Sequence, residues 1–181
     1  AYCNQAYQSS QGSREAATTW EDTTMGICDG RVAIVTGAGR GLGRAHALAL
    51  AAQGARVVIN DLGSAATGEG ADASPAAQVV AEIDAMGGQA VADASDAASW
   101  DGAKAMVDLA LERFGRLDVV VNNAGILRDR MLINMTEDEW DSVTRVHLKS
   151  TFAVTHHAAN HWRLMSKKGE QPDARVINTT S

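Results

Sequence analysis

Arg31-Val-Ala-Ile-Val-Thr-Gly-Ala-Gly-Arg-Gly-Leu-Gly43 decides how this 181-residue chain folds. An apolar strand, Val32 to Val35, runs into glycines at 37, 39, 41 and 43, and an alanine-rich helix is expected from Arg44 to Gln53. Glycine lets backbone come close to a ligand where any Cβ would block it. The helix that follows presents unpaired N–H groups and a partial positive charge, a combination that suits a diphosphate. The position between strand and helix separates this loop from a bare glycine pattern, whose plain alternative is a tight turn.

The next segment extends the reading to a dinucleotide. Gly54 stops the helix, and Arg56-Val-Val-Ile-Asn60 reads as a second buried strand ending at Asp61. Asp61 follows Gly41 by about 20 residues, the distance at which a carboxylate meets the adenosine ribose. An anion there accepts hydrogen bonds from a free 2′-hydroxyl and repels a 2′-phosphate, so NAD is favoured over NADP. Arg40, inside the loop, points the other way, because a guanidinium pairs well with that phosphate. The plain alternative is that Asp61 only ends a strand.

Length and composition fit one domain with a substantial core. Apolar residues make up 45% and charged residues 21%, an ordinary globular balance. The net charge of −6 argues against nucleic acid or an anionic membrane surface as a partner. No apolar run approaches the roughly 20 residues that span a bilayer. The N-terminal stretch shows no apolar signal core, and Cys3 and Cys28 form no motif. A reducing, cytoplasmic setting is therefore expected.

Residues 1–24 are rich in Gln, Ser and Thr without apolar periodicity, and read as a disordered or non-native extension. Residues 25–181 alternate strand and helix, which implies a parallel sheet covered on both faces, an α/β doubly wound fold of Rossmann type. Residues 62–73 form a loop of small residues, and Ser74-Pro75 opens a helix to about Met86. A short strand, Gln89 to Ala92, ends at Asp93. A helix is expected over Ala97–Phe114 and a strand over Arg116–Val121, before Asn122-Asn123-Ala124-Gly125. Thr136 and Glu139 form a capping box that opens one long helix to about Met165. Arg175-Val-Ile-Asn178 is the last expected strand.

Together these features resemble the short-chain dehydrogenase/reductase family. Thr36-Gly37-Ala38-Gly39-Arg40-Gly41-Leu42-Gly43 is similar to its TGxxxGxG cofactor loop, and Asn122-Asn123-Ala124-Gly125 to its NNAG signature. The resemblance covers residues 27–181. It implies cofactor contacts at Gly37, Gly39, Arg40, Gly41, Leu42 and Gly43, at Asp61 and Asp93, and at Asn122, Ala124 and Gly125. The stretches Asn122–Thr136 and Arg145–Phe152 look like the branch of 3-oxoacyl reductases and (3R)-hydroxyacyl-CoA dehydrogenases, enzymes of fatty acid metabolism. That branch implies a 3-hydroxyacyl or 3-oxoacyl thioester as substrate, NAD(H) as cofactor, and a homodimer or homotetramer when full length.

The family's active site uses Ser, Tyr, Lys and usually Asn. Arg175-Val-Ile-Asn-Thr-Thr-Ser181 matches the strand leading to the catalytic Ser, which puts Ser181 in that role. His147 stands where the family has Asn, and a histidine there can hold a water or relay a proton. The Tyr-x-x-x-Lys pair is absent, since the tyrosines are Tyr2 and Tyr7. The expectation is a C-terminally truncated piece of a longer enzyme with five of about seven strands, ordered 3-2-1-4-5, inactive by itself and prone to aggregate along its last strand. From another class, a dinucleotide-binding module without chemistry remains open.

Smaller signals have plain readings. His157 and His161 sit at i, i+4, but without a third ligand they are expected to be solvent-facing or interface residues, and no metal is assigned. Phe152 is expected in the core, Trp140 and Trp162 in core or interface. Asp118 is read as structural, and Lys167-Lys168-Gly169-Glu170 as a solvated turn.

Overall fold

A computed structural model describes residues 26–63 and 74–180. The N-terminal extension, the small-residue loop beyond Gly63 and Ser181 lie outside the described residues. Strand β1 (Val32–Thr36) is followed by α1 (Gly41–Ala52), β2 (Arg56–Asn60), α2 (Ser74–Ala85), β3 (Gln89–Asp93) and α3 (Trp100–Phe114). Strand β4 (Val119–Asn122) then leads through a 3₁₀ turn (Leu132–Asn134) to α4 (Glu137–Thr144). A π-helical turn (Arg145–Lys149) joins α4 to α5 (Ser150–Lys167), and β5 (Arg175–Asn178) follows.

The five strands form one parallel sheet in the order β3-β2-β1-β4-β5, as the family resemblance implies. Register aligns Thr36 with Asn60, Asn60 with Asp93, and Asn122 with Asn178. The carboxyl ends of neighbouring strands therefore lie level, and the segments leaving β1 and β4 part in opposite directions. That divergence opens the crevice in which doubly wound sheets bind ligands.

Near-continuous Val and Ile make the inner strands apolar on both faces, as a sheet covered twice requires. On one face Ile34, Val58 and Val120 pack with Met106, Val107, Val154 and Trp162 of α3 and α5. On the other, Val35, Val57 and Ile59 pack with Ala47, Val79 and Ile83 of α1 and α2. Burying each such Val or Ile contributes about 1.5–3 kcal/mol.

Four element boundaries differ from expectation. Helix α1 starts at Gly41 rather than Arg44, bringing the glycine loop into its first turn. Helix α3 starts at Trp100 rather than Ala97, because Ser99 is extended and its Oγ accepts from the Gly102 amide at 3.3 Å. Strand β4 begins at Val119, three residues later than read. Asp118 just before it is buried and structural: its Oδ2 accepts from Val32 N at 2.8 Å, and Arg116 holds the same carboxylate. The single helix expected from Thr136 to Met165 is broken by the π-helical turn.

The capping box is formed: Glu139 N donates to Thr136 Oγ1 and Thr136 N to Glu139 Oε2. The Thr136 backbone bond, helped by Arg130, holds the Glu139 carboxyl below its ordinary range. Phe152 is not in the core. It is 58% exposed beside Trp100, because α5 buries the face of Ala153, Val154, Ala158 and Trp162 instead. Trp140 is exposed, whereas Trp162 is buried and donates to Leu117 O. His156 faces solvent; His157 and His161 are partly buried, and burial pushes both imidazoles below the usual histidine value. Among the described residues no group of three or more His, Cys, Asp or Glu is placed to hold a metal ion. No helix among them is long and apolar enough to cross a membrane.

Candidate active site

A crevice of about 400 Å³ lies over the carboxyl ends of β1, β2 and β4. Its floor is the glycine loop. Ala38 N donates to Asn60 O at 2.8 Å, which ties the loop to the end of β2. Gly39 N donates to Asp61 Oδ2 at 2.8 Å, and a Cβ on Gly39 would stand 2.7 Å from that same oxygen. A Cβ on Gly43 would stand 2.2 Å from the Gly37 carbonyl oxygen. A Cβ is thus excluded at Gly43 by the backbone of Gly37 and at Gly39 by the side chains of Asp61 and Pro75. Arg40 is extended and makes no side-chain cap, so the first-turn N–H groups of α1 remain for a ligand. With the positive end of a 12-residue helix behind them, these donors fit a diphosphate.

The opposite wall is the turn after β4, and Thr36 locks it to the loop. Its buried Oγ1 accepts from Asn123 N and Ala124 N, each at 3.0 Å. Asn123 Nδ2 donates back to Thr36 O at 3.0 Å and Gly37 O at 3.2 Å. Neither residue was a candidate from the sequence. Thr36 opens the quoted loop, but nothing local shows that its hydroxyl serves a turn 87 residues away.

A family model described as short chain dehydrogenase matches residues 31–181. The chain belongs to the short chain dehydrogenase family. It is 48% identical over 153 residues to the peroxisomal multifunctional enzyme type 2 of Mus musculus, covering 84% of this chain and 20% of that protein. It is also 48% identical to the hydroxyacyl-CoA dehydrogenase ChsB1 of Mycobacterium tuberculosis, covering 84% of this chain and 47% of that one. The crystal structure of a short chain dehydrogenase from Mycobacterium avium superposes with a TM-score of 0.80 at 57% identity, over 87% of this chain and 55% of that chain. The chain thus spans from a fifth to about half the length of these relatives.

Within this short chain dehydrogenase framework, the crevice gathers Gly37, Arg40, Gly41, Leu42, Gly43 and Asp61 on one side and Ala124 and Gly125 on the other. Leu42 is 66% exposed at the rim. Asp61 is held on both oxygens: besides Gly39 on Oδ2, it takes the Gly63 amide on Oδ1 at 2.7 Å.

Asp93 and Asn122 are held back from the crevice. The Asp93 carboxylate accepts from Asn60 Nδ2 at 2.7 Å, Ser95 N at 3.2 Å and Ser95 Oγ at 2.9 Å. Its side chain shapes the turn after β3, and Asp96 and Ala97 line the crevice instead. Asn122 is buried between strands, donating to Thr155 Oγ1 at 3.0 Å and Asn178 Oδ1 at 2.9 Å.

His147 lies in the π-helical turn, a feature concentrated at functional sites. Its Nε2 is 3.1 Å from Ile126 N and 2.9 Å from Ile126 O, accepting from the first in one tautomer and donating to the second in the other. A Cβ on Gly125 would stand 2.7 Å from the ring. The imidazole therefore braces the turn after β4. It also lines a second hollow with Leu42, Thr151, Asn178 and Thr180. Ser181 itself is outside the described residues.

Proposed function

We propose that the protein is an NAD-dependent oxidoreductase that moves a hydride between nicotinamide and the oxygen-bearing carbon of a 3-hydroxyacyl or 3-oxoacyl thioester. The observation that carries this reading is the joint fixing of the glycine loop and the Asp61 carboxylate at the mouth of one crevice. The first-turn amides of α1, with Gly41 and Gly43, would hold the diphosphate, and Asp61 the adenosine ribose. Asn123, Ala124, Gly125 and His147 would border the nicotinamide end. Bound there, the nicotinamide supplies the hydride chemistry. Ser181 is assigned to orient the substrate oxygen. The described residues contain no tyrosine, and we assign proton transfer to none of them. The thioester class is supported by the relative named hydroxyacyl-CoA dehydrogenase.

Residues 25–181 are proposed as the nucleotide-binding unit. A homodimer or homotetramer would use the outer side of α4 and α5, where Trp140, Leu148 and Phe152 are exposed. We place the protein in the cytoplasm on its cysteine usage; a relative is named peroxisomal, so imaging a tagged copy checks the compartment directly. Arg40 favours a second reading, an NADP-dependent 3-oxoacyl carrier-protein reductase. Among the described residues no hydrogen bond or ion pair occupies its side chain. Calorimetry with NADH and NADPH separates the two: tighter NADH binding is expected, tighter NADPH binding selects the second reading, and no heat with either removes both. Consumption of NADH with a 3-oxoacyl-CoA then tests the substrate class.

A further inference from the structure

Asp96 and Arg145 face each other in the same crevice and form an ion pair. Asp96 belongs to the segment between β3 and α3, where its Oδ1 also accepts from Ala98 N at 2.8 Å. Arg145 opens the π-helical turn, 49 residues away in sequence. Sheet order sets where along the crevice they stand. Strand β3 lies outward of β2, so the residues after β3 sit farther from the glycine loop than Asp61 does. If the diphosphate rests on α1 and the ribose on Asp61, the base must extend over Asp96, Ala97 and Ala98. Arg145 is half-exposed there, with its guanidinium held by the Asp96 carboxylate.

Resting on the dinucleotide reading, we infer that Arg145, oriented by Asp96, closes the adenine end of the crevice and stacks its guanidinium plane on the base. A guanidinium already tied to a carboxylate gives up little freedom when it meets an aromatic face. The planar, delocalised cation is attracted to that face, and lysine does not reproduce the geometry. Ala97 and Ala98, which line the crevice beside it, bring no side-chain donor to compete for the base.

The test compares NADH with reduced nicotinamide mononucleotide, which lacks adenosine, by fluorescence titration of the parent protein and the Arg145→Met and Arg145→Lys variants. The Kd for NADH is expected to rise about 3- to 30-fold in both variants, with the mononucleotide unchanged within about twofold. Arg145→Lys keeps a partner for Asp96, which preserves the fold if Arg145→Met does not. Full recovery of NADH affinity by lysine overturns stacking in favour of a simple charge. Equal weakening of both nucleotides overturns it in favour of a structural brace, and an unchanged NADH Kd in Arg145→Met overturns it outright. A parent protein that binds neither nucleotide instead sinks the dinucleotide reading, and this inference with it.

Discussion

Asp61 accepts the Gly39 amide on Oδ2 at 2.8 Å while its Oδ1 holds Gly63 N, so one carboxylate ties the glycine loop to the segment leaving β2. It is therefore both a loop brace and the proposed ribose ligand. Hydrogen bonds to a charged group contribute about 1.5–3 kcal/mol each. Asp61→Ala is expected to raise the Kd for NADH by about 10- to 100-fold. Binding of NADPH should change less, because the repulsion of its 2′-phosphate disappears too. Calorimetry with both nucleotides checks this, and an unchanged NADH:NADPH ratio would remove Asp61 from specificity.

Gly43 tests the close approach. A methyl at that position would enter the space of the Gly37 carbonyl oxygen at 2.2 Å, a backbone contact with no flexible side chain to yield. Gly43→Ala is expected to cost about 1–3 kcal/mol of stability and to displace the loop from its diphosphate geometry. Chemical denaturation and NADH titration read the two effects. Gly41→Ala is the contrast: its Cβ would meet nothing within 4 Å, although its φ of 54° strains any side chain. It should lose nucleotide affinity by crowding the diphosphate more than by unpacking the loop.

The partly buried histidines of α5 set a pH dependence. Burial is the main cause that lowers His157 and His161, with the positive charge of His156 adding to it for His157. Their Nε2 atoms are buried without a hydrogen-bond partner among the described residues. A folded-state pKa below the unfolded value means that the unfolded chain binds more protons in the window between them. Stability should then be complete above about pH 7 and fall as the pH drops through the ordinary histidine value near 6.5. A His157→Gln, His161→Gln variant should show a flatter melting temperature between pH 7 and 5. A slope equal to the parent's would place the acid sensitivity elsewhere.

What the sequence disclosed follows from the range over which each signal acts. The glycine loop, the strand ending at Asp61 and the Thr136–Glu139 box are local, and their geometry matches the reading. The π-helical turn carries no composition of its own, because Arg145 to Lys149 would sit equally well in an α-helix. His147 at its centre could be picked out only through resemblance. Asp93 ends β3 where expected, yet its carboxylate is taken by Asn60 and Ser95, a competition visible only once β2 and β3 are paired. Phe152 was misplaced for a related reason. The buried face of α5 is the one carrying Ala153, Val154, Ala158 and Trp162, and which face a helix buries is decided by the α3 and sheet surface it meets rather than by its own composition.

Thr36 offers the sharpest separation of packing from hydrogen bonding. Its hydroxyl accepts two backbone amides, Asn123 N and Ala124 N, and is 3.4 Å from Val121 O, to which it donates. Thr36→Val keeps the volume and removes the oxygen. Two partly buried amides then lose their acceptor, at about 1 kcal/mol each before any relaxation. The turn that carries Ala124 and Gly125 would lose its register against the glycine loop. The expected result is a lower denaturation midpoint together with weaker NADH binding, whereas Thr36→Ser keeps the oxygen and should restore binding to near the parent level. If Thr36→Val binds NADH as the parent does, the two walls of the crevice are held together by Asn123 Nδ2 on Thr36 O and Gly37 O alone. The threonine hydroxyl would then contribute to stability without shaping the site.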